Sequence, residues 1–204
     1  MLKLLIAVPT FENISPETFK SIYDLTIPAP RDMDVSFEFI RGYDCAIARN
    51  KIAKIALDGE YDYVFMVDSD IVLPKDALAC LTWWNKDIVL GAYPRKNDPS
   101  KSEAFLDLGI NFEDQHRVAI DSMKDSNHYL VRVKGGGLGC ALIKTEVFRN
   151  IGYPYFRYVI YDAENQFLSE DLYFCVKAKN AGYDIFLDNR VLCGHIAKKV
   201  IEVS

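Results

Sequence analysis

Two aspartates one residue apart, Asp68 and Asp70, follow the apolar run Tyr63-Val64-Phe65-Met66-Val67. A buried strand ending in two carboxylates presents hard oxygen donors beyond the carboxyl ends of the strands, where open α/β sheets bind ligands. Such donors suit Mg2+ or Mn2+ carrying a phosphate group. The plain alternative is a solvated strand end, because D-x-D triplets arise often by chance. A second acidic pair, Glu170-Asp171, stands after Ser169 and ahead of an apolar stretch. Acidic residues in a first helical turn meet the helix dipole favourably, so capping explains them. The functional alternative is a general base at the sheet edge. His195, after Gly194, is a third candidate. A lone histidine near a strand end is commonly structural, but imidazole is an acceptable Mn2+ ligand beside carboxylates.

The glycine run at 135–139 is not a dinucleotide fingerprint. Cys140 stands where a Gly or Ala would be needed, and a strand rather than a helix follows. The run reads either as backbone that must approach a ligand closely or as a hairpin turn.

The elements that position these residues alternate between strand and helix. Leu4 to Val8 is a continuous apolar run, as in a central parallel strand, and Pro9 to Asn13 form the loop after it. A helix is predicted near Ser15 with Pro16 in its first turn. Val35 to Ile40 alternates as a second strand. Asp44 caps a helix with Ala48, Ile52, Ile55 and Ala56 on one face, and Gly59 ends it. Tyr61 to Val67 is a buried strand, Pro74 opens a helix carrying Leu78, Leu81 and Trp84, and Ile88 to Tyr93 is again a strand. Residues 94–134 are polar and weakly periodic, and predict loops with a short antiparallel hairpin. Cys140 to Ile143 is a strand, Ser169 caps a helix running to about Ala181 before Gly182, and Asp184 to Leu187 is the last strand. The pattern predicts an α/β fold, a mostly parallel central sheet with helices on both faces.

A chain of 204 residues favours a single domain with a proper core. The net charge of -5 disfavours a general nucleic-acid binder, leaving nucleic acid only as a modified-base acceptor held by a local patch. Five cysteines, odd in number and without C-x-x-C spacing, read as reduced thiols in a reducing, cytoplasmic compartment. The apolar start is cut short by Pro9 and no other segment approaches membrane-spanning length, so a soluble protein without an integral membrane segment is expected.

Taken in order, these elements resemble the GT-A glycosyltransferases, particularly the family 2-like members, over nearly the whole chain. Val8-Pro9-Thr10 is similar to the first-strand loop that holds the nucleobase, Ala48-Arg49-Asn50 to the A-R-N element, and Val67-Asp68-Ser69-Asp70 to the D-x-D. Gly137-Leu138-Gly139-Cys140 resembles the glycine-containing strand beside the donor sugar, Ser169-Glu170-Asp171 the E-D element, and Gly194-His195 the late histidine of the metal site. The resemblance implies a GT-A fold with a nucleotide-binding half at about 1–93 and a donor-sugar and acceptor half at about 94–204. It implies a transferase moving sugar from a nucleotide-diphosphate sugar, a UDP-sugar, to a glycan or other hydroxyl acceptor, with inversion. Asp70 and His195, with Asp68, would hold Mn2+ or Mg2+. Pro9, Thr10, Phe11, Arg41, Arg49, Asp68, Ser69, Gly137 and Gly139 would serve the donor, and Asp171 with Glu170 would supply the base. The chain departs from the family in being short and in lacking the basic element after the E-D helix start, where Lys177 and Lys179 are nearest. Tyr93, Arg95, Lys96 and residues 97–134 are candidates to shape the acceptor site.

Two other readings compete. Asp68-Ser69-Asp70-Ile71-Val72-Leu73 also fits the D-x-D-x-[TV]-L motif of haloacid-dehalogenase-type phosphohydrolases, although a complete strand-helix-strand-helix unit precedes it here. A non-catalytic nucleotide-sugar binder on the same fold is the other.

Overall fold

The computed structural model describes residues 1–26, 33–108, 116–124, 128–160 and 167–197. Parts of the predicted acceptor region, 109–115 and 125–127, lie outside the described residues. In chain order the first half comprises β1 (Leu2–Thr10), α1 (Pro16–Tyr23), β2 (Met33–Arg41), α2 (Cys45–Asp58), β3 (Tyr63–Val67), β4 (Ile71–Val72), α3 (Ala77–Trp83) and β5 (Ile88–Ala92). Then come β6 (Lys101–Asp107), β7 (His116–Ala119), α4 (Ile120–Lys124), β8 (Leu130–Val133), β9 (Gly135–Gly136) and β10 (Cys140–Lys144). The chain continues through α5 (Thr145–Ile151), β11 (Val159–Ile160), β12 (Phe167–Leu168), α6 (Glu170–Asn180), β13 (Ile185–Leu192) and β14 (Gly194–His195).

The central sheet has seven strands in the order β2-β1-β3-β10-β5-β13-β8. β1 pairs in parallel with β2 and β3, and β13 with β5, whereas β10 and β8 run against their neighbours. Five of the seven strands therefore share one direction. The period-2 alternation of side chains splits the core between the faces. Leu5, Ala7, Val64 and Met66 pack with Ile52 and Ala56 of α2, Phe148 of α5 and Phe174 of α6. Leu4, Ile6, Val8, Phe65 and Val67 pack with Ile22 of α1 and Leu78 and Leu81 of α3. Both faces are covered by helices, which is why the central strands read as unbroken apolar runs.

Local chemistry sets most helix starts. The side chains of Ser15, Asp44 and Ser169 each accept a hydrogen bond from a backbone N–H in the first turn of α1, α2 and α6. Pro74 lies before α3 rather than in it. Its carbonyl accepts from Ala77 N–H at 3.0 Å, closing a turn, and Trp84 caps the other end. The region predicted as loops and a hairpin holds more structure. β6 pairs antiparallel with β7 and with β9, and β8 joins the edge of the main sheet. Buried Ser102, Ala104 and Phe105 tie β6 down, although their stretch carries too many charges to read as a strand. β13 is longer than predicted because buried Asp188 is satisfied, accepting from Trp84 Nε1 at 2.7 Å and pairing with Arg190.

Candidate functional site

The C-terminal ends of β1, β3 and β5 open on one edge of the sheet, together with the start of the antiparallel β10, since Cys140 is in register with Val67. α2 and α6 begin at the same edge, directly after their caps. Thr10 is in register with Arg41, so β2 delivers Arg41 there, with its side chain exposed. Pro9, Thr10, Phe11, Tyr43, Asp44, Cys45, Asp68, Ser69 and Asp70 line a cleft of about 240 Å³. Phe11 is 68% exposed and Tyr43 40% exposed in its walls. Thr10 is buried and its hydroxyl donates to Asn13 O at 2.8 Å, which fixes the loop carrying Phe11.

Arg49 is 1% exposed. A buried guanidinium needs anionic partners, because desolvation is otherwise prohibitive. Arg49 has three. Nη2 donates to both oxygens of Asp68 at 2.8 and 3.1 Å, and Nη1 donates to Glu170 Oε1 at 2.8 Å and to Asp171 Oδ1. Burial alone would lower the Arg49 pKa, but Asp68 and Glu170 outweigh it and hold the group firmly charged. Burial would likewise raise Glu170, but Arg49 pulls its carboxyl below the ordinary range. Arg49, expected at the nucleotide, thus stands beneath the cleft and ties α2, the end of β3 and the start of α6 together. It brings Asp68 together with Glu170 and Asp171, whose sequence separations of 121 and 122 from Arg49 no local pattern connects. Asp171 also accepts from Leu138 N–H through Oδ2 at 3.3 Å, which draws the glycine run over the same place.

The two glycines singled out from that run are required by close approach. A Cβ on Gly137 would lie 2.0 Å from Tyr93 Oη, and one on Gly139 would lie 2.8 Å from Asp68 Oδ2. Buried Tyr93 accepts a hydrogen bond from Gly139 N–H at 3.2 Å, and its ring meets His195 edge-on at 5.3 Å.

His195 reaches the site through backbone pairing. β14 lies antiparallel to β4 with His195 opposite Ile71, and Ile196 N–H donates to Asp70 O at 2.9 Å. Pro94 O stands 2.7 Å from Nδ1. A carbonyl can only accept, so Nδ1 carries the proton and the neutral ring has its lone pair on Nε2. Nε2 is 3.7 Å from Asp70 Oδ1. Burial opposes protonation of His195, but Asp70 and Pro94 outweigh it and raise its pKa above the usual value. Burial would raise Asp70 in turn, yet hydrogen bonds to His195 and Lys96 bring it down to about 2. Among the described residues no three His, Cys, Asp or Glu side chains are grouped to hold an ion. Asp70 and His195 offer one oxygen and one nitrogen. That donor pair fits a Mg2+ or Mn2+ ion whose other positions are filled by phosphate oxygens and water. Asp68 is turned to Arg49 by both its oxygens.

Tyr43 and the seating of Lys96 on Asp70 were not foreseen. Lys96 was expected at the acceptor site, and its place just after a strand end at the ligand edge is the signal that could have pointed to Asp70 instead.

No protein-family model matches the sequence, and no curated protein sequence is significantly similar to it. Solved structures share its architecture. A197 from STIV superposes with a TM-score of 0.63 at 18% identity, covering 97% of this chain and 87% of that one. GalNAc-T7, solved with UDP, GalNAc and Mn2+, gives 0.60 at 12% identity over 97% of this chain. TarS residues 1–349 from S. aureus, solved with UDP-GlcNAc, gives 0.56 at 14% identity, also over 97%. The chain spans 44% and 60% of those two proteins. The fold is that of GT-A-type glycosyltransferases. No helix among the described residues is long and apolar enough to cross a membrane.

Proposed function

We propose that the protein is a glycosyltransferase that moves a sugar from a UDP-sugar to an acceptor hydroxyl, with a divalent cation held by Asp70 and His195. The observation that carries this reading is the meeting, at the open end of a GT-A-type sheet, of the Asp70–His195 pair with the carboxylates gathered by Arg49. The neighbours solved with UDP, UDP-GlcNAc and Mn2+ support the choice of donor and ion. Bound there, the ion offsets the negative charge that grows on the departing diphosphate.

The remaining work falls to the chain's own side chains. Phe11 and Tyr43 offer aromatic walls for the nucleobase in a cleft that Pro9, Thr10 and Ser69 also line, while Arg41, in register with Thr10, is not among the lining residues and would have to reach the nucleotide from outside. Gly137 and Gly139 leave room for Tyr93 and Asp68 within the glycine-containing strand that would stand beside the donor sugar. Asp171 accepts the proton of the acceptor hydroxyl. The freed oxygen bonds to the anomeric carbon from the side opposite the diphosphate, the bond from that carbon to the phosphate oxygen breaks, and UDP departs with inversion. Glu170 and Arg49 hold Asp171 in place. The acceptor is a glycan or another hydroxyl compound.

A thermal-shift screen of nucleotide-sugars with and without Mn2+ tests donor and ion together. A bound donor at 100 times its Kd stabilises the fold by about 2.7 kcal/mol. A UDP-sugar is expected to raise Tm only with Mn2+, and no response to any nucleotide-sugar would reject the reading. Asp171→Asn is expected to keep donor binding while transfer falls by about two to four orders of magnitude. Transfer at the wild-type rate removes Asp171 from the base role. Donor binding by the wild type without any release of UDP would leave a pure binding protein.

A further inference from the structure

Three of the four residues after β5 converge on Asp70 and His195. Tyr93 packs its ring against His195, Pro94 O fixes the imidazole tautomer, and Lys96 Nζ hydrogen-bonds Asp70 Oδ2. Arg95 is turned away to Glu103. The segment is held by antiparallel pairing with residues 101–103. Arg95 N–H donates to Lys101 O at 2.9 Å and Glu103 N–H to Tyr93 O at 3.1 Å, while Asp98 accepts from the Ser100 hydroxyl at 2.5 Å. Lys96 itself is 44% exposed on a flexible stem, so its ammonium can change partners without moving the backbone.

Asp70 thus has one oxygen facing His195 Nε2 and the other under an ammonium. A divalent ion on Asp70 and the Lys96 ammonium would bring three positive charges onto one carboxylate, at a separation where like charges repel strongly. The two cations exclude each other unless the ammonium finds another anion. The diphosphate of a nucleotide in the cleft is such an anion, since Asp70 itself lines that cleft. Lysine binds phosphate oxygens well as a point charge.

We propose that Lys96 couples ion binding to nucleotide binding: it competes with the divalent cation for Asp70, and a diphosphate relieves the competition by taking the ammonium over. The inference rests on Asp70 and His195 holding the ion. Coupling of this kind is reciprocal, so the ion must strengthen nucleotide binding by the same factor. The device keeps the cleft from retaining a stray divalent ion and makes ion and donor enter together. It also leaves a positive charge on the diphosphate as the sugar is transferred.

The test is a Mn2+ titration, followed by the EPR signal of the free aqueous ion, on the wild type and Lys96→Met, each with and without UDP. No turnover is involved. Lys96→Met removes the charge but keeps much of the stem, and an unchanged Tm of the variant establishes that it folds. The expected result is that Lys96→Met binds Mn2+ alone about tenfold more tightly than the wild type, and that UDP improves Mn2+ affinity by a smaller factor in the variant. Mn2+ affinity that is unchanged or weakened in Lys96→Met without UDP overturns the coupling role while leaving Asp70 and His195 as ion ligands. A wild type that takes up no Mn2+ even with UDP overturns the ion site and the coupling with it.

Discussion

Replacing Arg49 by Met should destabilise the protein by an amount that depends on pH with a predictable sign. Arg49 is 1% exposed and shares its guanidinium among Asp68, Glu170 and Asp171, whose side chains are 27%, 9% and 18% exposed. Removing one partner of a buried pair leaves uncompensated charge and costs about 3–5 kcal/mol. Against a total stability of roughly 5–15 kcal/mol for a domain, that is a large fraction. The pH dependence comes from Glu170. In the wild type its pKa lies below the ordinary value, because Arg49 overcomes the effect of burial. Its contribution to stability is therefore present above the unfolded value and lost as pH falls through the folded one. In Arg49→Met the burial remains and the cation is gone, so the Glu170 pKa rises above its unfolded value. Its charged form then opposes folding at neutral pH, and protonation relieves that opposition as pH falls. Urea unfolding followed by circular dichroism at pH 8, 7, 6 and 5 reads both quantities, with m-values checking that the transition stays two-state. The variant should lose about 3–5 kcal/mol at pH 7 and progressively less toward pH 5. A loss below about 1 kcal/mol at pH 7, of the size of an exposed ion pair, would refute the reasoning. So would an equal loss at pH 8 and pH 5.

The close approach at Gly137 makes a second prediction. Gly137→Ala would set a Cβ 2.0 Å from Tyr93 Oη, and overpacking of this kind costs about 1–3 kcal/mol. In a Tyr93→Phe background the clashing oxygen is gone and the cost should shrink, so additive losses in the double-mutant cycle would contradict the geometry. His195 makes a third. Its pKa is raised above 6.5, and an ion requires the neutral ring, so Mn2+ affinity should climb as pH rises above 6.5. The protonated ring paired with Asp70 stabilises the fold below that value and loses the effect as pH rises through the folded pKa, so stability without Mn2+ should fall over the same interval. Mn2+ affinity that stays flat between pH 6 and pH 8 would remove His195 from the ion site.

What the residues could say alone was local. The caps at Ser15, Asp44 and Ser169 were legible because a side-chain oxygen and the N–H groups of the first turn lie within a few residues of each other. The apolar runs of β1, β3, β5 and β10 were legible because a strand covered on both faces has no polar side to show. The D-x-D stood out because it ends such a run. The antiparallel insertion of β10 between β3 and β5 was not legible, since any buried strand looks alike from its composition. In the 94–134 region only a short antiparallel hairpin was legible; the further pairing of β6 with β9 and of β8 with β13 was not, because partners rather than their own periodicity hold these strands.

The site divides along the same line. The residue types and their order suggested carboxylates, a histidine and an arginine, with Arg49 expected at the nucleotide. The tertiary structure decided that this arginine is buried, and a buried cation must gather anions, so residues far apart in sequence meet around it. It also decided that the four-residue pairing of β14 with β4 carries His195 to Asp70, and that Lys96 shares that carboxylate. Sequence determines what each short segment prefers. Which charges become neighbours is decided only when burial removes water as the alternative partner.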